Sequence, residues 1–467
     1  MSAPTSGASL AGTPSPGWYA RLGEFTVRRR RAILASALLF VVIAGVVGGG
    51  VISRLSSGGF DDPGSESALA AQQLADRFDA APSDLVVIAG STDGSSVDSP
   101  AVAAAGRALA ERLAAEPGVR DVSSYWAAPN PALASTDGTM ALITARLVEP
   151  GDAGQKRAGE IAASYAGQSA GGLLEVHVSG APVVFSEVGS TIEKDLARAE
   201  SIAIPITMLL MLLVFGTLVA SGLPAVIGAI AVLGSFLALF ITTQVTDVSI
   251  FAINLVTALG IGLGIDYALF IVTRFREQLG RGDTPHEAVV ATVRTAGRTV
   301  VFSGITVGIA LSALLVFPQF FLRSFAYAGI ATVALAVVAA VVVLPALLAV
   351  LGTRVNRFRV LRGATEVGDH GFWYRLSAAV MRRPWPVLIG GVAVLVLLGL
   401  PFLRVTFGQT DDRVLPASAQ SAQAGDILRS SFDARESAPL TVVADTSRAS
   451  TGVIGTYAAA LSQVGGV

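Results

Sequence analysis

The chain has 467 residues, 52% of them hydrophobic and only 14% charged, against about 25% charged in soluble domains. Its mean hydropathy of +0.64 exceeds what a soluble fold can bury, so a lipid bilayer is the expected solvent. A net charge of −1 gives no sign of a nucleic-acid partner; the lack of cysteine excludes disulfides and thiolate chemistry, and three scattered histidines (His177, His286, His370) offer no metal cluster.

A spanning helix needs about 20 mostly apolar residues. Seven stretches meet that length: 33–52, 201–220, 223–243, 252–273, 299–317, 325–351 and 385–403. Residues 1–32 form a tail ending in Arg28–Arg31. These arginines resemble the charged region of a signal peptide. The run behind them is too long for one and no small-residue cleavage site follows, so an uncleaved helix is expected. Arginines cluster before the first helix, between the fourth and fifth (Arg274, Arg276, Arg281, Arg294, Arg298) and within 352–384. The positive-inside rule then places the N-terminus in the cytoplasm.

That orientation leaves 53–200 and 404–467 outside. The first reads as an inserted α+β domain: helices over 66–78, 102–113 and 154–165, strands over 85–88, 119–125, 140–147 and 173–179. Residues 201–351 form a five-helix bundle. The segment after the seventh helix echoes the segment after the first. Asp61-Asp62 returns as Asp411-Asp412, Phe78-Asp79 as Phe432-Asp433, and Leu85-Val86-Val87 as Leu440-Thr441-Val442. This predicts an internal repeat whose second outer domain is truncated at Val467, in a whole of roughly 700 residues. A naturally short chain with a C-terminal arm is the alternative.

The fourth span carries Gly260-Ile261-Gly262-Leu263-Gly264-Ile265-Asp266-Tyr267. A carboxylate at a helix centre costs about 2.5–3.5 kcal/mol to insert, so it should face helices or water. Asn254, Ala258, Gly262 and Asp266 lie four apart on one stripe, where small residues let a neighbouring backbone approach. Gly260 and Gly264 extend this to adjacent faces. Desolvation there disfavours the charged form and suits Asp266 to exchanging a proton. A plain structural contact, or a position at the cytoplasmic edge, is the alternative. Arg274, about 12 Å further on, argues against the edge. Tyr267 is expected to donate to a partner helix. Ser303 and Thr306 share a face of the fifth span and would reach Asp266, or else bond their own backbone. Pro205, Pro224 and Pro345 are read as marking helix starts and ends, with Pro345 kinking or ending the sixth span. Gly48-Gly49-Gly50 is read as loosening the end of the first. No phosphate loop and no serine elbow occurs, and nothing marks the chain as an enzyme.

The run from Ala258 through Asp266-Tyr267 to Glu277 resembles the signature of the MmpL family of the resistance-nodulation-division (RND) superfamily. Residues 295–304, 344–348, 180–182 and 195–200 resemble it too. The resemblance implies an RND-type polytopic α-helical membrane protein with extracytoplasmic porter-like α+β domains. Such proteins have twelve helices in two pseudo-symmetric halves and export lipids, glycolipids, siderophores or drugs by proton influx. It implies Asp266 and Tyr267 as the proton relay, with a second pair in a tenth helix that lies beyond this chain. The expected partners are the bilayer and a hydrophobic or lipid substrate, in a bacterial plasma membrane. No cofactor is expected beyond the proton gradient. Homo-oligomers and accessory membrane proteins stay open, as do a non-transporting scaffold, a protein-export accessory and a non-functional fragment.

Overall fold

A computed structural model describes residues 17–60, 62–78, 83–149, 151–169, 172–360, 372–405, 411–432, 442–443 and 450–463. Seven helices among them are long and apolar enough to cross a membrane: Arg30–Arg54, Ala181–Phe215, Leu218–Thr242, Ala252–Gly280, Pro285–Val316, Phe320–Asn356 and Pro384–Arg404. The chain is a multi-pass membrane protein with an inserted sheet-containing domain. It divides into two units, Met1–Phe60 with Glu200–Glu366, and Asp61–Ala199 with Val367–Val467.

In chain order the elements begin with α1 (Trp18–Arg28), α2 (Arg30–Gly48) and α3 (Glu66–Phe78). The inserted domain follows: β1 (Leu85–Ser91), α4 (Pro100–Ala114), β2 (Val119–Ser124), β3 (Met140–Leu147), α5 (Gly151–Tyr165), β4 (Gly167–Ser169) and β5 (Leu174–Ser179). The five strands form an antiparallel sheet in the order β2-β3-β1-β5-β4. Alternation along β1 gives the sheet two apolar faces. Leu85, Val87 and Ala89 pack with Leu109 and Leu113 of α4 and Ile161 and Tyr165 of α5. Trp126 is buried among them and donates from Nε1 to the Val97 carbonyl at 2.9 Å. Ile88 and Leu142 point the other way.

What covers that second face comes from far along the chain. Beyond α6 (Ala181–Phe215), α7 (Leu218–Thr242), α8 (Ala252–Gly280), α9 (Pro285–Thr292), α10 (Arg298–Ser312), α11 (Phe320–Val338), α12 (Leu344–Leu351), α13 (Phe372–Arg382) and α14 (Pro384–Gly399) lies α15 (Gln420–Ser431), and then α16 (Thr451–Leu461). Ala424 of α15 and Phe432 close on Ile88 and Leu142. The Ser431 carbonyl accepts from Thr136 N at 2.8 Å, and Glu187 accepts from Ser421 N at 3.0 Å. Asp412 bonds Arg429 at 2.8 Å and, with Asp426, holds that guanidinium above its usual pKa. On the repeat expected from the sequence, α15 would correspond to α3, and the sheet is thus completed by a helix from the expected second copy. Asp61, Asp79, Asp433, Leu440 and Thr441 of that repeat lie outside the described residues.

The membrane helices depart from the sequence expectations at their ends. Pro205 and Pro224 lie inside α6 and α7 and do not mark helix ends. The second span stops at Phe215, short of residue 220, because Gly216 turns left-handed at φ +66°. Thr217 anchors the turn through Oγ1, which donates to the Val355 carbonyl at 3.1 Å. The fifth span starts at Pro285, where Thr284 and Glu287 form a capping box. It passes through a π-turn at Val293–Gly297 into α10. A second π-turn, Ala339–Val343, precedes Pro345 in α12 and absorbs the proline that the sequence placed at a kink. The α-helix gives way at Gly49 to a 3₁₀ turn, Gly49–Arg54, as Gly48-Gly49-Gly50 suggested, but Gly48 also has a packing role. It is buried, and a Cβ there would come within 2.7 Å of Leu237 N, so α2 lies backbone to backbone on α7.

Truncating Phe432 tests the shared sheet. Phe432→Ala should weaken the docking of α15 by about 3 kcal/mol and speed limited proteolysis within 411–432, with cleavage elsewhere in the domain unchanged.

Candidate functional site

Asp266 stands 14 residues from either end of α8, about 21 Å along the axis each way. The rotation of α8 is set by its other face. Ala252, Val256, Gly260, Gly264, Ala268, Ile271 and Phe275 are buried, a stripe at the spacing of three and four that one helix face requires. Two glycines make the contact close. A Cβ on Gly264 would lie 2.6 Å from both Cα and N of Gly228 in α7, and one on Gly260 would lie 2.5 Å from the Val232 side chain. Main chain therefore meets main chain along this seam.

At about 100° per residue, Asp266 is carried roughly 200° away from Gly264. Ala258, Gly262 and Asp266 are exposed and Asn254 is half-buried. A Cβ on Gly262 would meet nothing within 4 Å. This corrects the single small-residue stripe expected from the sequence. The close approach belongs to Gly260 and Gly264, whereas Gly262 shares an open face with the carboxylate. Within this chain Asp266 is not packed against a neighbouring helix. No cation pairs with it among the described residues. Arg274 is committed elsewhere, to Glu277 at 2.6 Å and to Thr295 Oγ1 at 3.2 Å.

Tyr267, one residue on, turns inward and is 5% exposed. Its hydroxyl is buried with no partner in hydrogen-bond geometry among the described residues. Ser303 of α10 and Asp266 are the groups that act on it. Ser303 is thus brought to Tyr267 and makes no bond to Asp266. Thr306 is exposed and donates to its own helix at the Phe302 carbonyl, 3.0 Å away, so the expected hydroxyl pair on Asp266 does not form. Beside Thr306, α10 exposes Phe302, Ile305 and Ile309.

Sequence reasoning missed two polar ties that hold the bundle around α8. Arg276 donates from Nη1 to the Phe215 carbonyl at 2.8 Å, satisfying a helix end that would otherwise be orphaned. Ser324 Oγ accepts from Ser249 N at 2.9 Å, joining the turn before α8 to α11. An arginine near a helix end and a serine in an apolar run carry no local signal of such distant partners. A groove of about 380 Å³ also opens along α6, α7 and α8. Met208, Pro224, Val232, Ile261 and Ile265 line it, and Gly228 lies on the same wall. Its size and apolar walls suit a hydrocarbon segment.

The midpoint carboxylate, the glycine seam and the apolar helices around them fall inside the match to the MMPL family model, which spans residues 59–387. The chain belongs to the MMPL family. It is 37% identical over 397 residues to a putative membrane protein, SCO6666, of Streptomyces coelicolor, covering 84% of this chain and 55% of that protein. It is 36% identical over 296 residues to the trehalose monomycolate exporter MmpL3 of Mycolicibacterium smegmatis, covering 58% of this chain and 29% of the relative. To the mycolic acid-containing lipids exporter MmpL11 of the same organism it is 30% identical over 373 residues, covering 77% and 38%. The chain spans about half the length of the first of these MMPL relatives and less of the others.

Substitutions at the two kinds of glycine should separate. Gly264→Ala should cost about 1–3 kcal/mol by forcing α7 and α8 apart and lower the melting temperature in detergent. Gly262→Ala, on the open face, should stay within about 0.5 kcal/mol of the parent.

Proposed function

We propose that this MMPL protein exports lipids or other amphipathic molecules across the bacterial plasma membrane, driven by proton influx. In this reading Asp266 takes up and releases the proton, and Tyr267 is its partner. The observation that carries the proposal is a carboxylate at the middle of a spanning helix, with no cation beside it among the described residues and with Ala258 and Gly262 on the two turns before it. The names of the MmpL3 and MmpL11 relatives support a lipid cargo, and the apolar groove beside the glycine seam fits such a molecule. No covalent step is proposed. The work is transport, with the arginine-rich connections and the N-terminus in the cytoplasm.

The physical logic is a switch of one charge. Ionised, Asp266 needs water or a donor opposite it. Protonated, it sheds most of the cost of about 2.5–3.5 kcal/mol that a charge carries at this depth. The Ala258–Gly262–Asp266 face then accepts a close neighbour, since nothing larger than a methyl group stands above the carboxyl on it. Tyr267, adjacent in sequence, keeps on the buried side of the helix a hydroxyl with no hydrogen-bond partner among the described residues, within electrostatic reach of Asp266. Alternation between the two packings is the step that would move cargo.

Asp266→Asn in the complete protein should abolish export while expression and melting temperature hold. Export at the parental rate from a normally expressed variant would sink the proposal. Tyr267→Phe gives a separate reading. It removes a buried hydroxyl that lacks a partner, so stability should be equal or up to about 1 kcal/mol higher, while proton-coupled flux in vesicles carrying a pH gradient should fall at least tenfold.

A further inference from the structure

The helices α1 and α2 are separate. At Arg29 (φ −102°, ψ 15°) the chain leaves helical geometry for one residue, and α2 restarts at Arg30 with no side-chain cap and no acidic residue in its first turn. The joint is held from beneath. Gly23 of α1 lies on α9, where a Cβ would come 3.0 Å from Val290 Cα. Thr26 is fully buried, and Val27 joins Val289 and Val293 in the core. Above this support the side chains of Arg28, Arg29, Arg30 and Arg31 are exposed. With His286 of α9 they line a cleft of about 670 Å³.

The described residues leave the charge of the four arginines uncompensated, while His286 lies within reach of the Glu287 carboxylate. None of the four arginines forms an ion pair among the described residues. Glu287 is occupied by the Thr284 cap, accepting from Thr284 N at 3.0 Å and from its hydroxyl at 2.7 Å. Glu24, one turn before Arg28, is exposed and forms no ion pair among the described residues. Arg30 and Arg31 also sit at the positive end of the α2 dipole, where a cation is disfavoured and an anion is favoured. A second feature identifies the surroundings. Trp18 and Phe25 on α1 are 64% and 52% exposed. Large aromatic side chains left open beside basic residues suit the headgroup level of a bilayer, where the rings enter the acyl boundary and the charges meet phosphate.

We propose that the cleft formed by Arg28–Arg31 and His286 binds the phosphate headgroup of an anionic phospholipid at the membrane surface. Guanidinium groups bind phosphate oxygens in pairs, and four in sequence around a fixed break suit a diester flanked by further acceptors. The lipid tails would run beside α2, whose Leu38, Leu39 and Val42 are exposed. The site is remote in sequence from Asp266, and its occupancy does not depend on whether that residue carries protons.

The test is lipid binding by the full chain in detergent, read by native mass spectrometry with phosphatidylglycerol, phosphatidylcholine and inorganic phosphate as probes. The parent should retain phosphatidylglycerol in preference to phosphatidylcholine. Each arginine near an anionic surface is worth on the order of fivefold, so Arg30→Gln with Arg31→Gln should weaken retention roughly twentyfold. His286→Glu, which leaves the charges flanking α2 and hence the insertion signal intact, should weaken it several-fold at an unchanged melting temperature. Arg281→Gln, outside the cleft, should leave it unchanged. Equal retention of the two lipids, an unaffected His286→Glu variant, or a loss on Arg281→Gln equal to that of the double variant would overturn the proposal. Displacement of the lipid by inorganic phosphate at equal concentration would assign the cleft to a free anion and overturn the membrane reading.

Discussion

The rotation of α8 about its own axis is the constraint on which the site depends. Main chain touches main chain at Gly228 and Gly264, and in a bilayer such contacts supply what the hydrophobic effect cannot, because lipid is as apolar as any side chain. The Gly260–Gly264 seam leaves α8 one stable rotation against α7. That rotation turns Tyr267 into the protein and Asp266 out of it. Neither orientation is chosen by the polar residues themselves. They take the positions that the glycines leave.

The same economy governs the rest of the membrane unit. A helix in lipid must satisfy every backbone group internally or through neighbours, and each irregularity here comes with its compensation. The left-handed turn at Gly216 brings Thr217 to the Val355 carbonyl, and Arg276 closes the end of α6. The π-turns at Val293–Gly297 and Ala339–Val343 shift the register of two long helices without breaking them. The sheet domain solves its problem in another way: its second apolar face is completed by α15, whose Ser431 carbonyl accepts from Thr136 across 295 residues of chain.

Spans, fold class and family were legible because each depends on a summed property. Apolar length marked the existence of all seven crossing helices but not all their ends: the second begins at Ala181, twenty residues before the apolar run, the fourth continues to Gly280, and the stop at Phe215 and the start at Pro285 rest on the Gly216 angle and the Thr284 cap. Alternation marked four of the five strands and failed on β4, whose three residues are too few to carry a period. At the site the important residues were visible and their relations were not. Residues four apart share a stripe in any helix, but periodicity cannot say which stripe packs. Gly260, Gly262 and Gly264 look equivalent in sequence. Only the partner helix, with its own Gly228, separates them. The contact of Gly48 was hidden for the same reason, since its partner Leu237 lies on a different helix.

Spacing by two in the run Gly260-Ile261-Gly262-Leu263-Gly264 is what lets one short segment serve two surfaces. The outer glycines are four apart and fall on the seam; the middle one is turned about 200° from each neighbour in the series and falls beside Asp266. A helix built this way packs tightly on one face and leaves the turns before Asp266 on the other without bulk. Under the proposed proton exchange such a seam is needed, because a change at Asp266 would alter the packing opposite it only if α8 did not roll to hide the charge. A rolled helix would pull Gly264 off Gly228 and drive Tyr267 from its buried position. The energetic scale is consistent with this. A charge cost of about 3 kcal/mol at the bilayer centre corresponds to roughly a hundredfold shift between two packings, and overpacking at the seam would cost about as much. In the proposed mechanism the glycine seam would thus hold α8 against the charge while the open face responds to it.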